Sequence, residues 1–192
     1  MPLERAQKLA DRFVELVGGH CERIDIAGSV RRKKDFVGDI EIVCFPKVWG
    51  IPNLLGEPVD HRVAGFIGTI QQKFKVMKGN LMEGRYVALT DRQTETVKID
   101  LFMPTWEDYY RQFAIRTGSA DFSGKVIAHT WVEKGWCGTE NGLRLQAECT
   151  KKGDSWELKD SVKKPFLPPV WESEKDFFKW LNIPWVDPVK RV

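Results

Sequence analysis

The chain has no cysteines in Cys-x-x-Cys spacing. Cys21, Cys44, Cys137 and Cys149 are scattered, so neither a zinc site nor a disulfide framework is expected, and reduced cytosolic thiols are. No apolar run is long enough to span a bilayer, and the N-terminus carries no secretory leader. The expectation is an intracellular, cytoplasmic protein with no membrane partner. Internal repeats and low-complexity tracts are missing too, which excludes solenoids and disordered arrays. Neither sign of charge dominates: 30 Lys and Arg stand against 27 Asp and Glu, a net +3, with an isoelectric point near 8.6. That balance is compatible with a polyanionic partner without demanding one. What is present is an ordinary apolar share, 42% of 192 residues, enough for a real core in one large domain or one domain with a small appendage. The eight tryptophans are expected to anchor cores or interfaces, with one or two available to stack on bases.

Periodicity then organises the chain. Leu3, Ala6, Leu9, Ala10, Phe13, Leu16 and Val17 recur at helical spacing, and Gly18-Gly19 stops that helix. Arg23 to Ala27 reads as a strand running into Gly28-Ser29, and Gly38 to Phe45 as a second strand. Residues 46–61, with three prolines and two glycines, read as a loop. Val63 to Phe74 reads as a helix, and Tyr86 to Leu89 and Thr96 to Met103 as strands joined by a polar turn. Trp106 to Phe113 suggests a third helix and Ser119 to Lys134 a fourth, ended by Gly135. The pattern weakens over 138–170, with a short hairpin around Trp156. Ser173-x-x-Asp176 is a capping signal for a last helix, with Phe177, Phe178 and Leu181 on one face. Helices alternating with strands predict an α+β fold on a small mixed sheet.

Three carboxylates concentrate the chemistry. Asp39 and Glu41 lie two residues apart, so they share a strand face, while Ile40 and Ile42 face a helix layer. In Val97-Lys98-Ile99-Asp100-Leu101, Lys98 and Asp100 lie opposite the apolar residues. If the two strands are neighbours, all three acids converge. Three such side chains suit two magnesium ions, which take hard oxygen ligands. A helix starting at Ser29 would aim backbone N–H groups at phosphate oxygens, and Arg32 would add a bidentate donor.

Gly28-Ser29-Val30-Arg31-Arg32, a short spacer, then Gly38-Asp39-Ile40-Glu41 resembles the nucleotidyltransferase signature of the family X DNA polymerases. Val97-Lys98-Ile99-Asp100 looks like the strand that carries that family's third metal-binding aspartate. Thr117-Gly118-Ser119 resembles its palm–thumb motif, and Ala128 to Gly135 the thumb helix that follows. Ser173 to Phe178 and Leu181 to Pro188 resemble its C-terminal end. The resemblance covers nearly the whole chain in order. It implies a nucleotidyltransferase palm over 1–115, a mixed sheet with helices on one face, and a small α/β thumb-like subdomain over 116–192.

The resemblance also implies roles. Asp39, Glu41 and Asp100 would bind two Mg²⁺ ions, with Mn²⁺ as a substitute, and Asp100 would accept the primer 3′-hydroxyl proton. Gly28, Ser29, Arg32, Gly38, Thr117, Gly118, Ser119 and Ser123 would line the nucleotide. Lys33, Lys34, Lys98 and Arg116 would meet nucleic acid. The partners would be a dNTP and a DNA primer–template or gapped DNA. The family's lyase domain and helix-hairpin-helix modules have no counterpart in the chain. Lyase activity is therefore not expected, and an accessory DNA-binding partner could replace those modules in a bacterial or viral setting.

Departures sharpen the expectation. The metal pair is Asp-x-Glu where most of the family has Asp-x-Asp. Ile115-Arg116 replaces an aromatic pair that helps exclude ribonucleotides. Ser123 stands where an asparagine commonly reads the incoming nucleotide, and Ile127 where an arginine commonly touches the template. Low fidelity and weak sugar discrimination are expected in gap-filling, repair-like synthesis. The alternatives are template-independent nucleotidyl transfer to a nucleic-acid end, a small molecule or a protein, and a non-catalytic nucleic-acid-binding module.

Overall fold

A computed structural model describes residues 1–52, 58–92 and 96–192. The chain divides into two compact units, Met1–Met103 and Pro104–Val192. The division falls twelve residues before the 115/116 boundary read from the sequence. That earlier boundary lies inside the helix Tyr109–Thr117, which belongs whole to the second unit.

The first unit opens with helix α1, Leu3–Val17, which runs into a 3-10 turn, Gly18–His20. Its buried stripe of Ala6, Ala10, Phe13 and Val17 is the one the periodicity predicts. Strand β1, Cys21–Ile26, leads to a single helical turn, α2, Gly28–Arg31, and then β2, Ile40–Pro46. The stretch expected to be a loop instead forms an antiparallel ribbon, β3 (Val48–Pro52) and β4 (Pro58–Arg62). Its prolines stand at strand ends, where a missing N–H donor costs no ladder bond. Helix α3, Ala64–Lys73, stops one residue short of the sequence reading. Phe74 belongs to β5, Phe74–Gly79, a strand the sequence reading missed. Strands β6, Tyr86–Asp91, and β7, Lys98–Phe102, follow as expected, and residues 93–95 of their polar turn lie outside the described residues.

These strands form one five-stranded sheet in the order β1-β2-β7-β6-β5. β2 and β7 run parallel, and every other neighbouring pair is antiparallel. The sheet is mixed, as predicted. One face carries Ile40, Ile42, Cys44, Val87, Leu89, Ile99 and Leu101 into a core with Phe13 of α1 and Phe66 and Ile70 of α3. The other face carries Glu41, Tyr86 and Asp100. At the β5 edge, Lys75, Lys78 and an irregularity between Val76 and Lys78 discourage edge-to-edge pairing.

The second unit begins with α4, Tyr109–Thr117, after a turn that leaves Trp106 exposed. The expected fourth helix is divided: a π-helical segment, Phe122–Ala128, passes into α5, His129–Glu133. Gly135, at φ +80, ends it. Two hairpins follow, β8 (Trp136–Thr139) with β9 (Gly142–Leu145), and β10 (Cys149–Lys152) with β11 (Ser155–Leu158). Only the second was foreseen. Helix α6, Glu174–Leu181, starts where Ser173 accepts a hydrogen bond from the Asp176 amide, as the capping signal predicts. Its buried Phe177 meets Trp171 and Trp180 at ring-centroid distances of 4.9 and 6.1 Å. Tryptophan thus serves the core of this unit, with Trp131, Trp136 and Trp171 all buried.

Candidate active site

The sheet register decides what the carboxylates can do. Glu41 and Asp100 are direct partners across the parallel β2–β7 pair, so their backbones lie about 4.8 Å apart. Their chain neighbours Ile40, Ile42, Ile99 and Leu101 are buried in the helix-side core. Alternation therefore puts both acids on the opposite face, where each is half-buried. Asp39 lies one residue before β2 rather than on it, and is also half-buried.

The turn at Gly28 is built against Glu41. Gly28 has φ +61, a left-handed conformation that favours glycine. A Cβ there would collide with the Glu41 carboxylate. The Ala27 amide donates to the Glu41 carbonyl at 2.8 Å, fixing the turn to the strand. The turn closes with Arg32 N–H to Gly28 O (3.0 Å) and Lys34 N–H to Ser29 O (3.1 Å). The Ser29 Oγ is buried and has no hydrogen-bond partner among the described residues. Leaving such a hydroxyl unmet costs about 1–3 kcal/mol, which a bound acceptor would relieve. Gly38, by contrast, answers no steric need: a Cβ there would meet nothing within 4 Å.

Arg32 joins this set electrostatically. Burial lowers its pKa, and the charges of Glu41 and Asp39 act in the opposite sense. One guanidinium thus feels the charge of two carboxylates. Lys33, Lys34 and Lys98 are exposed, and Lys33 closes the turn at φ +55.

Tyr86 is the residue that sequence reasoning missed. Its hydroxyl donates to Asp100 Oδ1 at 2.8 Å from the neighbouring strand β6. Its ring lies 5.2 Å from that of Phe102, centroid to centroid. Nothing local marks it, because the contact depends on strand register.

The other predicted residues lie in the second unit. Gly118 ends α4 at φ −65, and a Cβ on it would crowd Phe122 Cδ1 at 3.0 Å and collide with the Ser123 hydroxyl. Ser119 Oγ accepts from the Phe122 amide at 3.0 Å, and the Ser119 amide donates to the Arg191 carbonyl at 3.1 Å. Thr117 is fully buried. The Ser123 hydroxyl donates to the Ile115 carbonyl at 2.7 Å. Arg116 Nε reaches Gln112 Oε1 at 3.3 Å, and Ile127 is fully buried.

Oxygen donors of this kind suit magnesium, and the orphaned Ser29 hydroxyl beside a glycine turn suits a phosphate oxygen. Among the described residues, no three His, Cys, Asp or Glu side chains gather closely enough to ligate one ion. Tyr86 takes up one Asp100 oxygen. Among the same residues, no helix is long and apolar enough to cross a membrane. The chain matches no protein-family model, and no curated protein matches it in sequence.

Proposed function

We propose that the protein is a nucleotidyltransferase that moves a nucleoside monophosphate from a dNTP to a primer 3′-hydroxyl, as a family X-like DNA polymerase does. The observation that carries this reading is the pairing of Glu41 with Asp100 across two parallel strands. The pair lies on the sheet face away from the helices, with the Gly28 turn packed against Glu41.

Asp39, Glu41 and Asp100 are the residues that would hold magnesium. The chemistry supplied by two such ions is a more acidic attacking hydroxyl and a better-stabilised pyrophosphate leaving group. Asp100 accepts the proton of the 3′-hydroxyl as the oxygen attacks the α-phosphorus. Ser29 donates its hydroxyl, and Arg32 its guanidinium, to the β- and γ-phosphates. The Gly28 turn lets backbone and phosphate approach closely without a side chain between them. Lys33, Lys34, Lys98 and Arg116 are the candidate contacts to the nucleic-acid backbone, and binding should weaken steeply with salt if they serve it.

Copying is proposed to be permissive. The Ser123 hydroxyl is committed to Ile115 and Ile127 is committed to the core. Neither supports a hydrogen bond that checks base-pair geometry.

The test is primer extension with Mg²⁺, a labelled primer alone or annealed across a gap, and single dNTPs or rNTPs. The expected result is template-dependent extension with selectivity below about a thousandfold for base and sugar, since sites with well-paired donors exceed that level. Extension of the lone primer would move the reading to template-independent transfer. No extension with Mg²⁺, or with Mn²⁺ in its place, would remove it.

A further inference from the structure

We infer that Tyr86 is a positioning residue for Asp100, setting which carboxylate oxygen is left for metal and primer; the inference rests on the nucleotidyl-transfer reading above. A carboxylate on a strand has two oxygens and a freely turning terminal torsion. Tyr86 removes that freedom, because its hydroxyl holds Oδ1 at 2.8 Å. The ring that carries the hydroxyl is itself fixed. Tyr86 pairs with Phe102 in the β6–β7 register, and the two rings lie 5.2 Å apart and tilted by 30°. Ala88, not Tyr86, is the direct strand partner of Asp100. The phenol therefore reaches diagonally across the face to Asp100.

The consequence is a division of labour between the two oxygens. Oδ1 is occupied by a neutral donor, and Oδ2 remains for ligation and for the proton of the attacking hydroxyl. Hydrogen bonds of this kind orient metal ligands, and their loss typically costs about 10- to 100-fold in metal affinity or activity. Tyr86 touches neither metal nor substrate in this account and acts through Asp100.

The experiment compares the wild-type protein with Tyr86→Phe and Asp100→Asn. Mn²⁺ binding is titrated by electron paramagnetic resonance, alongside thermal unfolding and steady-state primer extension. Tyr86→Phe keeps the ring against Phe102, so its melting temperature should stay near the wild-type value. Its Mn²⁺ affinity is expected to fall about tenfold, with the loss appearing in kcat and the KM for primer unchanged. Wild-type Mn²⁺ affinity and kcat in Tyr86→Phe overturn the role of Tyr86 alone. So does an equal loss in KM and stability, which marks a packing role. A wild-type protein that binds no Mn²⁺ and extends no primer, or an Asp100→Asn variant indistinguishable from it, overturns the nucleotidyl-transfer reading and the Tyr86 role together.

Discussion

The two units handle charge in opposite ways. In the second unit, two acid–arginine pairs are buried and matched. Arg191 is completely buried and grips Glu174 through two bonds of 2.7 and 2.9 Å, with a third to the Val186 carbonyl. Trp185 adds an indole N–H to the same carboxylate at 2.9 Å. Arg111 is matched in the same forked way to buried Asp108, at 2.5 and 2.6 Å, and lies over the Trp131 ring. In the first unit, Asp39, Glu41 and Asp100 are only half-buried, and the charges of Glu41 and Asp39 act on Arg32. Matched charges stabilise a fold and are chemically spent. Partly hydrated acids keep contact with solvent and with whatever solvent carries. On the proposed reading, the first unit would be the seat of chemistry and the second a scaffold.

That contrast can be broken by substitution. The largest effect should be on activity: Asp39→Asn is expected to reduce nucleotidyl transfer at least about a hundredfold, more than the loss of an outer partner costs. Its unfolding free energy should move by only about 0.5 kcal/mol, as at other sites outside the core, measured by urea denaturation. Glu174→Ala reverses the pattern. It leaves the Arg191 charge buried and unmatched, which should destabilise the second unit by about 3–5 kcal/mol in the same assay. Next comes Gly28→Ala, at about 1–2 kcal/mol for the left-handed backbone alone, with further loss from the collision with Glu41. Ser123→Ala should cost about 1 kcal/mol, the value of the bond to Ile115.

A last effect, read against pH rather than by substitution, concerns the thiols. Burial, and then the neighbouring Cys149, push Cys137 up to about 12, and burial and Cys21 likewise raise Cys44. A thiol with a raised folded-state pKa contributes stability that is fully present below its ordinary value of 9. That contribution is lost as pH rises toward 12. Unfolding free energy measured between pH 8 and 11 should therefore decline above pH 9. A flat profile would mean that these thiols ionise as freely in the folded protein as in the unfolded one.

How much of this was legible in the sequence follows from the range of the interactions. Local periodicity carried α1, β2, β7 and the α6 cap, because each depends on neighbours within a few residues. It failed at Phe74, whose spacing continues the helix while its backbone begins β5, since sheet pairing outweighs helical propensity there. It failed at 46–61 because prolines read as loop when they stand at strand ends. The acids were legible as a shared face, and the β2–β7 pairing makes Glu41 and Asp100 partners, while Asp39 lies before β2 and the three do not form one ligating cluster among the described residues. Tyr86 and Arg191 were not legible. Tyr86 reaches Asp100 across strands fourteen residues apart, and Arg191 reaches Glu174 from seventeen residues on.

Pyrophosphate release tests the central claim most directly. With Mg²⁺, one dNTP and a gapped primer–template, the wild-type protein should release one pyrophosphate per nucleotide added. Asp100→Asn should slow release by at least about a hundredfold, within the range for a lost proton acceptor, with its melting temperature little changed. Equal release by the folded variant, or none from the wild-type protein, would contradict the account.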